Sequence, residues 1–331
     1  DDAYSFAGRR AAVIGTGSTG VQVIPELAKE AAELTVYQRT PIWVMPKLDV
    51  GFPPPVQRLF ARVPAAQRVV RWFTDMAMDL MMVIAMWRFR RFRWVNEAAS
   101  DLSKLHRLLA VRDKDVWRKL NPEYDFGCKR PTISNSYYRA FTKPHVHLET
   151  SGIERIEPDG IVGRDGTKRT IDTLVLATGY DVWEANLPAI EVIGRDGRNL
   201  GKWWRENRFQ AYEGISVPNF PNVRTMASPY AWVGLSWFNT VEYQMRHMNR
   251  LFGELQRRGA GTFEVTEQAN ARFLDRMTEL LDDSVFYAGN CANSRSYWFC
   301  PSGEAPLFRP TSVYEAVAEQ DRFPLRDYLI A

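Results

Sequence analysis

Gly15-Thr16-Gly17-Ser18-Thr19-Gly20 reads G-x-G-x-x-G, directly behind the apolar run 9–14 (RRAAVI) and ahead of residues 20–33, which have helical character with Pro25 in the first turns. Strand, glycine turn and helix in that order predict a dinucleotide-binding unit. The first glycine makes the tight turn, the second lets the backbone approach a pyrophosphate, and the third lets helix and strand pack closely. The helix start adds free N–H groups and partial positive charge for phosphates. Residues 34–38 (LTVYQ) predict a second strand. Strand, helix and strand then complete within about 30 residues, the opening of a parallel, doubly wound α/β sheet.

The end of that second strand bears on the ligand. Gln38-Arg39-Thr40 lies 18 to 20 residues past Gly20. A site for NAD places Asp or Glu there to accept from the ribose 2′-hydroxyl, whereas an arginine pairs with a 2′-phosphate. Arg39 therefore points to NADP(H).

The α/β pattern then breaks at Pro41, Pro46 and Pro53-Pro54-Pro55. From Val56 to about Leu120 the chain is helical in character and is expected to form an inserted subdomain. Within it, WFTDMAMDLMMVIAMW is too short and too interrupted to span a membrane. It predicts a helix buried against the core or walling a cavity, with methionines as flexible filler. Residues 72–94 end in RFRRFRW, which leaves a weak association with an anionic membrane surface open. Strand character returns at 145–149, 153–157 and 171–177, with turns at Pro158-Asp159-Gly160 and Arg164-Asp165-Gly166-Thr167 that suggest a β-meander. Two helices are expected near 237–257 and 265–282, and the aromatic stretch Ser294–Phe308 reads equally as a cavity wall or a capping loop.

Composition excludes several classes. Cys128, Cys291 and Cys300 form an odd, widely spaced set, which argues against a disulfide framework and, with only four histidines, against a zinc site; no metal is expected. The net charge of +4 fits an anionic cofactor as well as it fits nucleic acid, and gives no ground for a nucleic-acid partner. No charged segment followed by an apolar one opens the chain, so a cytoplasmic location is the expectation.

Four motifs in order, VIGTGSTGVQ, YQRTP, CKRP and LVLATGYD, resemble those of class B flavoprotein monooxygenases, the Baeyer–Villiger enzymes and their flavin-containing monooxygenase relatives. The resemblance implies FAD and NADP(H) as cofactors. By match, Gly15 to Gly20 with Gln22 hold NADP(H), Arg39, Thr40 and Lys129 meet its 2′-phosphate, and Arg130 is the catalytic arginine beside the flavin. Ala177-Thr178-Gly179 closes the NADP domain, and Ser236, Trp237 and Phe238 open a helix that points at the flavin. The implied architecture is a two-dinucleotide-binding-domain flavoprotein. It has a Rossmann-like NADP domain (1–50 and 121–180), the helical insertion (51–120), and the C-terminal part of an FAD domain (181–331).

The implied reaction inserts one oxygen atom of O2 into a small ketone, or oxidises a soft nitrogen or sulfur atom, through a C4a-peroxyflavin. A permanent cation suits that chemistry, because a preorganised charge stabilises a developing oxyanion and arginine stays protonated. The family's first glycine motif, for FAD, and its F-x-G-x-x-x-H-x-x-x-W fingerprint both lie ahead of the matched region. The chain is thus expected to be a fragment, inactive without the FAD-binding portion. Two alternatives stand beside this reading. A flavin disulfide reductase needs a C-x4-C pair, and Cys291 and Cys300 are nine apart. A non-catalytic NADPH-binding module is the other.

Overall fold

The computed structural model describes residues 4–47, 51–227, 229–234 and 236–331. They pack as two compact units, each discontinuous in sequence: Asp1–Val50, Trp94–Tyr180 and Asn290–Ser296 in the first, and Gly51–Arg93, Asp181–Gly289 and Tyr297–Ala331 in the second. The segment 51–120 is therefore divided at Arg93 between the two.

The first unit is built on a four-stranded parallel sheet in the order Val146–Glu149, Glu33–Tyr37, Arg10–Ile14, Thr173–Leu176. Ala11, Ala12, Val13, Leu34 and Val36 are all buried. Such continuous apolar runs are what a parallel sheet covered on both faces requires. The helix Ser18–Glu30 connects the first two strands and buries Val21, Ile24, Leu27 and Ala28 on one face. That three-and-four spacing fixes which side lies against the sheet. Pro25 sits inside this helix. The expected meander is present as three antiparallel strands, Ile153–Glu157, Gly160–Gly163 and Lys168–Thr170.

One cysteine expectation does not hold. Cys128 and Cys291 are disulfide-bonded, with Cα atoms 5.1 Å apart across a sequence separation of 163, while Cys300 is free and buried. The sheet and the segment Asn290–Ser296 bring the two together, and sequence spacing carries no trace of that proximity. The tether is reinforced by backbone: Asp125 N–H donates to Asn290 O at 3.1 Å, and Asn290 N–H donates to Asp125 Oδ2 at 2.8 Å.

In the second unit the long helices are Pro64–Met82, Trp237–Arg258, Glu267–Leu281 and Val313–Arg322. The first of these corrects the expectation of a buried apolar helix. Asp79 is its sole buried residue, accepting from Val313 N–H at 3.1 Å, while Trp72, Phe73, Met78, Leu80 and Met81 are exposed. Burial begins only beyond it, at Ala85, Met86, Trp87 and Phe89. Among the described residues no helix is long and apolar enough to cross a membrane.

In the aromatic stretch Ser294–Phe308, Trp298, Ala305, Leu307 and Phe308 are core residues rather than a cavity wall or cap. Phe308 is fully buried, with ring centroids 4.5 Å from Phe286, 4.8 Å from Trp298, 5.2 Å from Trp232 and 5.3 Å from Trp87. Edge and offset aromatic contacts of this kind add to the area that the rings bury. A second buried centre surrounds His247. One of its ring nitrogens lies 2.6 Å from Gln320 Oε1 and the other 2.8 Å from the Tyr328 hydroxyl, and burial pushes its pKa down to about 3. His247 is therefore a neutral packing residue rather than an acid–base group.

Candidate nucleotide-binding site

The glycine turn follows the strand Arg10–Ile14, and its three glycines have separable reasons. Gly15 has φ +109°, and a Cβ there would meet Ala177 O at 2.3 Å. A Cβ on Gly20 would meet Gly15 O at 2.4 Å. Those two positions are glycine because the fold leaves no room. Gly17, the N-cap of the helix, has φ −71°, and a Cβ there would meet nothing within 4 Å. The protein itself imposes no glycine at position 17. The open space in front of the helix N-terminus fits an anionic group pressed against the backbone, where free N–H groups and the helix dipole favour it. Ser18 and Thr19 form the first turn, and Gln22 Nε2 donates back to Ser18 O at 3.0 Å.

The turn lies beside the end of the second strand, because Thr16 Oγ1 donates to Thr40 O at 3.3 Å. Gln38, Arg39, Thr40 and Pro41 line one wall of a cleft of about 430 Å³. Arg118, Lys119, Asn121, Glu123 and Tyr124 line another, with Asn293 and Arg295 from the disulfide-tethered segment. Four cations, of which Arg118 pairs with Asp115, face the single carboxylate of Glu123, so the cleft is electropositive. Buried side chains hold its walls. Tyr124 donates from its hydroxyl to Pro41 O at 2.7 Å, and Trp43 Nε1 donates to Tyr124 O at 2.9 Å. The fully buried Arg107 donates to Leu120 O at 3.2 Å and to Asn121 Oδ1 at 2.6 Å. Gln38 Nε2 donates to Lys119 O at 2.7 Å, whereas its buried Oε1 has no partner in the protein. That acceptor is available to a ligand hydroxyl.

Lys129 and Arg130 follow Cys128. Lys129 is partly buried, and desolvation first, then the positive charge of Arg39, pushes its pKa down to about 8. The two positive charges oppose each other, and a nearby anion would relieve that repulsion. Arg130 is exposed. Ala177 is buried at the end of the sheet, its N–H donating to Ile14 O at 2.9 Å, with Thr178 and Gly179 exposed beyond it. In the second unit Ser236 caps the helix Trp237–Arg258 by accepting from Phe238 N–H at 3.2 Å. Trp237 and Phe238 are exposed there, Phe238 by 82%.

No protein-family model matches the chain. Individual proteins do. A Baeyer–Villiger monooxygenase of Streptomyces coelicolor is 30% identical over the whole chain, and one of Pseudomonas aeruginosa is 30% identical over 88% of it. The closed crystal structure of a cyclohexanone monooxygenase covers 100% of the chain with a TM-score of 0.83 at 25% identity. The chain belongs to the class B flavin monooxygenases. It spans 62% and 54% of the length of the two curated relatives, and 68% of the cyclohexanone monooxygenase chain. A cyclohexanone monooxygenase from Rhodococcus sp. Phi1, solved with NADP+, matches with a TM-score of 0.80 at 25% identity. The chain's α/β fold with its parallel sheet is thus a Rossmann-like flavoprotein fold.

The motif residues that the sequence singled out fall on both units. Gly15 to Gly20 form the turn, whose Thr16 bonds Thr40, Arg39 and Thr40 line the cleft, Lys129 feels the charge of Arg39, and Arg130 adjoins Lys129 in sequence. Ser236 to Phe238 stand on the second unit. Sequence reasoning missed Arg118, Lys119, Asn293 and Arg295. The first two end a short helix, Lys114–Lys119, and no motif marks them. The other two are contributed by a segment 163 residues beyond its disulfide partner.

Proposed function

We propose that this chain supplies the NADPH site and the oxygen-transfer arginine of a Baeyer–Villiger monooxygenase acting on a small ketone. One observation carries the reading: the G-x-G-x-x-G turn with its unfilled Gly17 position lies against a strand end whose Arg39 lines a cleft with Arg118, Lys119 and Arg295. The relatives named as Baeyer–Villiger enzymes, and a cyclohexanone monooxygenase solved with cyclohexanone bound, support the choice of ketone over heteroatom.

In this reading the backbone of Gly15 to Gly20 holds the pyrophosphate, with Gln22 on the helix behind it. Arg39, Thr40 and Lys129 neutralise the 2′-phosphate, Gln38 accepts from a ribose hydroxyl, and Ala177 to Gly179 complete the turn. Trp237 and Phe238, exposed at a capped helix start, fit the face of a flat cofactor such as FAD. Bound flavin, with NADPH as reductant and O2 as co-substrate, supplies the oxygen-transfer chemistry. The chain's own contribution is position and charge. Arg130 holds a permanent positive charge that lysine, desolvated in such a site, would lose.

Arg39→Ala is the direct test of this function. A hydrogen bond to a charged group is worth roughly 1.5–3 kcal/mol. The variant should therefore bind NADPH about tenfold or more weakly and NADH nearly unchanged, as read by titration calorimetry. Equal losses for the two nucleotides would remove the 2′-phosphate from this cleft.

Lys129 adds a pH dependence. In the free protein it titrates at about 8, and a bound phosphate favours its charged form and raises that value. Affinity for NADPH should therefore be level below pH 8. It should fall as pH rises beyond 8, by up to about tenfold per unit until the pKa of the complex is reached. NADH binding should stay level across the same range, and Lys129→Met should abolish the slope. Titration calorimetry from pH 6.5 to 9.5 reads both.

A further inference from the structure

The segment Asn290–Ser296 belongs to the first unit, although the chain on either side of it belongs to the second. It is fastened at its start by the Cys128–Cys291 disulfide and by the paired hydrogen bonds between Asn290 and Asp125. Ser294 and Ser296 are both buried, and Ser294 N–H donates to Cys291 O at 3.0 Å. Between them Arg295 is turned outward at φ +46°, in the left-handed region that non-glycine residues rarely occupy. Strained backbone of this kind persists where surrounding structure enforces it, and it clusters at ligand sites. Arg295 lines the cleft with Arg39 and Thr40, and no described residue forms an ion pair with it. The strap thus buries its neighbours, locks their anchor covalently and presents one cation to a cleft that already holds three.

We propose that Arg295 is a specificity-determining residue for NADPH, a further cation on the 2′-phosphate, held in position by the Cys128–Cys291 disulfide. This rests on the NADPH reading of the same cleft. A guanidinium pairs with phosphate through forked hydrogen bonds, which makes its placement as consequential as its charge. The disulfide supplies that placement. On reduction by a dithiol, the Cys128–Cys291 S–S bond takes up two electrons and two protons to give two thiols while the dithiol becomes a disulfide. The strap is then held only by its hydrogen bonds, and the affinity for the 2′-phosphate drops.

The test is calorimetric titration of the full chain with adenosine 2′,5′-bisphosphate and, as control, adenosine 5′-monophosphate. Arg295 is exposed, so its replacement leaves the core intact. Arg295→Ala should weaken the bisphosphate about tenfold and leave the monophosphate unchanged, and Arg295→Lys should retain part of the difference. Dithiothreitol should weaken the bisphosphate in the parent chain but add nothing in Arg295→Ala. If Arg39→Ala weakens the bisphosphate and Arg295→Ala does not, the assignment of Arg295 is wrong while the NADPH site stands. If neither variant separates bisphosphate from monophosphate, the NADPH reading falls and this inference with it. A reduced parent chain that binds the bisphosphate as tightly as the oxidised one overturns the role of the disulfide.

Discussion

Arg130→Ala, in a preparation loaded with FAD, is expected to lower the yield of oxygenated product about 100-fold or more while leaving NADPH affinity largely unchanged. A loss on that scale is what removing one preorganised electrostatic stabiliser costs. The neighbouring residue should behave in the opposite way. Lys129 is partly buried and its charge is opposed by Arg39, so it is placed for a phosphate rather than for the reacting oxygen. Lys129→Ala should weaken NADPH about tenfold and, with NADPH saturating, leave product yield near the parental value. Product analysis beside a binding titration separates the two roles. Near-parental conversion of ketone to ester by Arg130→Ala would make the arginine structural.

The second large effect concerns stability. Arg309 is fully buried and pairs with Glu213 Oε2 at 2.7 Å and with the carboxylate of Glu319. Its backbone N–H donates to Trp232 O at 2.9 Å, and its guanidinium stands 5.4 Å from the Phe273 ring centroid. Arg309→Met leaves Glu213 without its cation and Glu319 with only the partly exposed Arg276. Breaking a buried ion pair from one side costs about 3–5 kcal/mol, which should appear as a drop of about 10 °C in the thermal midpoint. Neutralising the partners as well, with Glu213→Gln and Glu319→Gln, should return much of the loss, because the penalty lies in the uncompensated charges. A triple variant no more stable than Arg309→Met alone would place the effect in packing instead.

Local signals account for what the sequence revealed. The strands Arg10–Ile14, Glu33–Tyr37 and Thr173–Leu176, and the helix between the first two, were legible because each carries its own pattern: an apolar run, a glycine turn, a three-and-four spacing. Arg39 was legible for the same reason, since its distance from the glycines is fixed by one helix. Features set by long-range packing were not. The apolar composition of Pro64–Met82 suggested burial, yet Asp79 is its buried residue and its large apolar side chains face outward. The aromatic stretch near the C-terminus looked like a loop because its rings have no period. Around Phe308 converge Trp87, Trp232, Phe286 and Trp298, from four separate positions in the chain. Arg295 and the Cys128–Cys291 bond depend on a return of the chain that no window of residues encodes.

That return has a consequence for how the protein is made. The chain passes between the two units after Val50, Arg93, Tyr180, Gly289 and Ser296. A ribosome delivers residues in order, so the parallel sheet and its glycine turn can assemble early, once the strand Thr173–Leu176 has emerged. The cleft beside them cannot be finished then, because Asn293 and Arg295 are delivered more than a hundred residues later. Contacts of such sequence separation form slowly. One side of the nucleotide cleft therefore stays open until Asn293 and Arg295 have been made, and its covalent closure waits for Cys291.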